Sequence, residues 1–268
     1  MKTILSKAIA AIFSNARGRN LDRNQPNGVG MSYFMSGRFF RSMPSTRNLR
    51  WVLLCVVFQV VVLPRCAGQN NNLKLCRLKY NGGGDWYSSR TALPNLCRYA
   101  NSHIGTSLAT TEATAEVGST DIFRYPFCFL TGHGNVVFSD QEASNLRNYL
   151  IAGGFLHICD NYGMDPFIRR EMKKVFPELT FQVVPFNHPI YQGPFTFNSG
   201  LPKVHEHDSK APIGYGLFWE GRLVCFYDYE CDLGNGWEEP EVYKDPVEIR
   251  EKALKMGCNL IYQAFIAK

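Results

Sequence analysis

From Leu73 onward, short apolar runs alternate with longer stretches whose apolar residues recur every three or four positions. Side chains repeat every two residues along a strand and every 3.6 around a helix, so the first kind predicts strands and the second amphipathic helices. LKLCRLKY (73–80) reads as a strand, NGGGDWYSS as a loop and TALPNLCRYANSHI as a helix. FCFLT (127–131) is a continuous apolar strand, and GHGNVVF is its loop. Ser139 with Glu142 three positions on has the spacing of a capping box; it opens a helix with Leu146, Tyr149 and Leu150 on one face, ended by Gly153 and Gly154. The cycle repeats with strand FLHIC, loop DNYGM and a helix capped by Asp165 with Pro166 in its first turn; Ile168, Met172, Val175 and Phe176 form its buried stripe. LTFQVV predicts another strand, and GYGLFW and RLVCFY a hairpin about Glu220 and Gly221. A last helix is expected from Asp245 to about Met256, resuming in NLIYQAFI after a break at Gly257.

Apolar strands alternating with helices predict an α/β fold, a three-layer sandwich with a mostly parallel central sheet. Right-handed crossovers place the carboxyl ends of parallel strands on one edge. The loops beginning at Asn81, Gly132 and Asp160, and those at Pro185 and Asp228, are therefore expected along the edge where open α/β sheets bind ligands.

Residues 1–68 read differently. Arg47 and Arg50 precede the apolar run WVLLCVVFQVVVL (51–63), followed by Pro64 and a small-residue exit ending at Gly68. That is the order of a cleaved export signal, and the run is shorter than the roughly 20 residues of a spanning helix, an uncleaved anchor being the alternative. Residues 69–72 read as a short linker and 73–268 as one domain. The leader holds ten of the 29 Lys and Arg but, of the acidic residues, only Asp22, so 19 basic face 22 acidic side chains in the remainder. The overall charge of +6 thus belongs to the leader and gives no reason to expect nucleic acid as a partner. The expected location is the periplasm or cell envelope, with the membrane involved only through an uncleaved leader.

Seven cysteines follow the leader without regular spacing, which predicts buried thiols rather than a disulfide framework; Cys225 with Cys231 is the one local pair to test. Asp160 begins a polar loop at a strand end, where a carboxylate can act as general base or accept ligand hydroxyls, with Asn161 beside it. His133, between glycines in TGHG, is expected next to Asp160, and His188 in NHPIY on the same edge. Asp85 with Trp86, and Asp232 with Trp237, pair a carboxylate with an indole as sugar or peptide sites do. NGGGDW lacks the Lys and Ser/Thr of a phosphate loop, and no cofactor motif is found. HEHD (205–208) offers zinc-ligand types, His205 and His207, without a third partner nearby in sequence, so no metal is assigned.

The runs YNGGGDW, FRYPFCFLTGHG, LRNYLIAGGFLHICDNYG, FPELTFQVVPFNHPIY, EGRLVCFYDYECDLGNGWE and MGCNLIY, in that order, resemble an uncharacterised bacterial family, the domain of unknown function numbered 4159. That family is grouped with proteins similar to the class I glutamine amidotransferase fold, which implies a flavodoxin-like sheet and supplies no reaction. In those amidotransferases the cysteine nucleophile stands on an elbow with glycines two residues to either side; around Cys159 these places hold His157 and Asn161. The expectation is an exported ligand-binding or accessory domain without thiol chemistry, its partner a small molecule, a carbohydrate or an envelope protein. The alternatives are a carbohydrate or amide hydrolase using Asp160 and His133 as acid-base pair, and a protein-interaction module of a membrane complex.

Overall fold

A computed structural model describes residues 73–266; the expected export signal and linker lie outside the described residues. Seven strands, β1 (Cys76–Lys79), β2 (Ala113–Glu116), β3 (Phe127–His133), β4 (Phe155–Tyr162), β5 (Gln182–Val183), β6 (Ile213–Trp219) and β7 (Arg222–Tyr229), form one sheet ordered β2-β1-β3-β4-β7-β6-β5. The five from β2 to β7 in that order are parallel, and β6 and β5 add an antiparallel margin. The helices are α1 (Ala92–His103), α2 (Asp140–Ile151), α3 (Asp165–Val175), the short α4 (Leu233–Gly236) and α5 (Pro240–Tyr243), and α6 (Val247–Phe265).

The period-two pattern of the strands divides the core. Phe155 and Cys159 of β4 join the cluster under α1 and α6, while Leu156 and Ile158 join the cluster under α2 and α3. Two buried faces on one sheet make the expected three-layer sandwich, and among the described residues no helix is long and apolar enough to cross a membrane.

The capping box at Ser139 forms as its spacing predicts. Four details differ from the sequence reading. β2 has no counterpart among the elements the pattern predicts, because ATAE buries only Ala115 and carries little apolar signal. LTFQVV contributes only the two exposed residues of β5, at the sheet margin. Asp165 does not cap α3, which starts after Met164 without a side-chain cap; its carboxylate accepts from Arg169 and Tyr227 instead. α6 runs unbroken through Gly257, where a Cβ would overlap Leu96 Cδ1 and lie 3.0 Å from the Trp237 ring, so the glycine permits close helix packing rather than a break. Cys225 and Cys231 are unpaired and belong to cores on opposite faces of the sheet.

Candidate functional site at the carboxyl edge

β3, β4 and β7 run parallel, with Gly132 level with Asp160 and Cys159 level with Asp228, so their carboxyl ends share one edge. Asp160 is buried there: Oδ1 accepts from the backbone N–H of Tyr162 (2.9 Å) and Met164 (3.0 Å), and Oδ2 faces the Tyr227 hydroxyl at 3.1 Å. The same hydroxyl lies 2.9 Å from Asp165 Oδ1. One phenolic proton cannot serve two carboxylates fully. Burial pushes the Asp160 carboxyl above its ordinary value, so a protonated Asp160 donating to the phenol, which donates to Asp165, satisfies both contacts.

Asp160 opens onto a cleft of about 290 Å³ whose wall includes Tyr162, Asp165, His207, Asp208, Lys210 and Glu230. Tyr162 donates to Asp208 at 2.9 Å and stacks on the His207 ring at 4.7 Å. Lys210 reaches Asp208 at 3.1 Å, and Lys203 holds Glu230 at 3.1 Å. Among the described non-glycine residues with positive φ, Tyr162, Ser209, Glu230 and Asp232 all flank this cleft. Left-handed backbone costs about 1–3 kcal/mol per such residue and persists where the surroundings hold it.

The sheet follows the order 2-1-3-4 on one side, so the chain reverses between β1 and β3, where doubly wound sheets usually hold ligands. Here that crevice is filled by the protein's own loop. Gly84 N–H bonds Asn135 O, and a Cβ at Gly132 would strike the Tyr80 hydroxyl and Asp85, so the glycines admit this loop rather than a ligand. Asp85 accepts from the His133 backbone N–H, and its Oδ2 lies 3.0 Å from His133 Nδ1. His133 is bonded to Asp85 and not to Asp160, although the two strands are neighbours. Arg77, buried on β1, anchors the loop by binding Ser88 O, Ser89 O and Glu112; nothing in its strand context distinguished it in sequence.

The remaining sequence candidates separate. Asn161 is buried, accepting from Thr131 and donating to Ser88, and belongs to the loop scaffold. Trp86 is partly buried against the α2/α3 core. Trp237 is not a ligand platform: it is fully buried against Phe129 and His157, and its indole N–H bonds Ala253 O on α6. His188 caps a turn by accepting from Ile190 N–H, and its ring meets Phe218 near the β6–β7 hairpin, away from the carboxyl edge; burial lowers its pKa. Cys159 accepts from Gly234 N–H at 3.2 Å in full burial, which pushes its thiol well above the ordinary range.

Asp232 pairs with neither indole nor solvent. Its Oδ2 meets His207 Nε2 in a short contact and lies 3.4 Å from His205 Nδ1. That bond to Asp232 raises the His205 pKa, and Asp245 sits 3.0 Å from His205 Nε2. The third partner that HEHD lacks in sequence is Asp232, delivered by the loop after β7; of the cleft residues outside the sequence candidates, Lys210 comes from irregular chain and Glu230 from the turn directly after β7. No curated protein matches the chain. The family model described as a domain of unknown function, DUF4159, matches residues 74–265, and the chain belongs to that family.

Proposed function

We propose that this protein is an exported ligand-binding or accessory domain of the cell envelope, holding a small polar molecule in the cleft beside Asp160. The observation that carries the reading is the cleft itself: a strained rim presents Tyr162, Lys210 and acidic groups at the carboxyl edge of a parallel sheet. Its chemistry suits a hydroxylated or amide-bearing ligand such as a sugar or amino acid. The site is read as a degenerate relative of the glutamine amidotransferase type, since the Cys159 sulfur on β4 is buried and held as a thiol. Export rests on the basic and apolar order of residues 47–68.

A screen of sugars, amino acids and simple amides against the full chain, read as thermal stabilisation, tests this. Saturating binding at a hundredfold excess over Kd adds about 2.7 kcal/mol. Asp160→Asn and Tyr162→Ala should abolish that gain without unfolding the protein. A ligand whose stabilisation survives both variants would place the site elsewhere. The mature N-terminus, measured by mass spectrometry of the protein recovered from the envelope, is expected after Gly68.

A second reading has one observation in its favour. Asp85 lies 3.0 Å from His133 Nδ1 and orients the exposed ring, which leaves Nε2 as the atom facing away from the carboxylate, the arrangement a hydrolytic base uses. Under this reading His133 works with Asp85. Turnover of an amide or glycoside lost in His133→Gln would favour the hydrolase over the binding domain.

A further inference from the structure

We infer that His205, His207 and Asp232 form a binding site for one divalent transition-metal ion of the zinc class. Their ligand atoms, one from each side chain, lie within 4.8 Å of one another. Tetrahedral ligands at about 2.0–2.1 Å from zinc are about 3.4 Å apart. His205 Nδ1 already stands 3.4 Å from Asp232 Oδ2, while the closer pair, His207 and Asp232, has to open for the ion to enter.

Two further features point to a cation. Asp232 is fully buried, and its Oδ1 has no hydrogen-bond partner. An orphaned carboxylate oxygen in a dry interior is destabilising, and a bound cation removes the cause by neutralising the group. Behind His205, Asp245 lies 3.0 Å from Nε2; a proton held there against Asp245 makes Nδ1 the ring atom that would ligate an ion in place of the present contact to Asp232, with Asn235 Nδ2 at 3.3 Å as a competing donor. A carboxylate behind a ligating imidazole is the usual outer-shell arrangement of histidine metal sites. The neighbouring charge has the required sign: Asp245 lies 3.0 Å from His205, Asp228 is close enough to Asp232 for the two carboxyls to interact, and Lys203 is engaged by Glu230. His207 also lines the cleft, so an ion held by three protein atoms keeps its fourth position open on that side.

The site does not depend on the identity of the cleft's organic ligand, and its test uses none. The full chain, stripped with a chelator, is titrated with Co(II) and followed by its visible absorption. One ion per chain is expected, with the intense bands of a four-coordinate nitrogen and oxygen site. Asp232→Asn and His207→Gln should each weaken binding beyond the roughly 10- to 100-fold loss expected for the outer-shell variant Asp245→Asn. His103→Gln, on α1 and stacked on Tyr99, should change nothing. His207 is only partly buried, so its variant keeps the test valid if Asp232→Asn fails to fold. Absence of stoichiometric uptake overturns the site, and so does uptake that His207→Gln leaves unchanged in a folded protein; either result assigns the cluster to histidine–carboxylate pairing alone. Neither result bears on whether a sugar or amide stabilises the cleft.

Discussion

At the scale of single residues, Cys159 and Asp160 are neighbours with opposite fates, because alternate residues of β4 face opposite sides of the sheet. Cys159 points under α4, where full burial and the nearby carboxylates of Asp228 and Asp232 hold the thiol form against the opposing pull of the Gly234 N–H. All seven cysteines among the described residues are buried and unpaired. A thiol reagent applied to the native full chain should therefore titrate no sites beyond Cys55 and Cys66, and the other seven only on unfolding. Rapid labelling of Cys159 in folded protein would restore it as a reactive group. Cys159→Ala should cost about 1–2 kcal/mol of stability for the lost sulfur contacts and leave ligand stabilisation intact, measured by urea denaturation.

Among the elements, β3, β4 and the β6–β7 hairpin were legible because continuous apolar runs bounded by turn residues have few other solutions. α2 was legible through Ser139 and Glu142, whose reciprocal bonds are local in sequence. The site was legible only as far as strand ends announce themselves: Asp160 and His133 lie where the alternation stops. Its partners were not. Asp85 meets His133 across 48 positions and Asp232 meets His207 across 25, and no local pattern encodes which loops a parallel sheet brings together. Gly257 shows the same limit inside one element. A glycine in a helix interior looks like a break until the packing surface is known. Replacing Gly257 with Ala tests this, since helix propensity alone favours alanine by about 1 kcal/mol. The new methyl meets Leu96 and the immobile Trp237 ring, and overpacking of that kind costs about 1–3 kcal/mol. Packing should win, so Gly257→Ala is expected to lower the denaturation midpoint; a raised midpoint would mean that α6 is not seated as closely as described.

For the whole molecule, the carboxyl edge carries an electrostatic cost that should show in its pH dependence. Asp160 and Asp228 are both raised above the ordinary carboxyl value, each chiefly by burial, whereas surface acids such as Glu116 and Glu178 are lowered by their basic partners. The sign follows from proton counts. Between the unfolded value, about 3.9, and the higher folded value, native Asp160 keeps a proton that the unfolded chain has released. Its contribution is therefore fully present at low pH and is lost as pH rises through the folded pKa, the reverse of the surface acids. Those opposing groups blur the protein's own stability curve, but the difference between it and Asp160→Asn isolates one carboxyl. Asparagine keeps the Oδ1 acceptor for Tyr162 and Met164 N–H and offers a permanent donor to Tyr227, the state that protonated Asp160 provides. From about pH 4 upward the variant should gain on the wild type, with a slope approaching about 1.4 kcal/mol per pH unit where the proton difference nears one, and then level off above the folded pKa. Urea denaturation at pH intervals measures that gap. A gap that stays flat, or closes as pH rises, would show that Asp160 is ionised and solvated in the native protein, and the buried proton shared through Tyr227 would have to be abandoned.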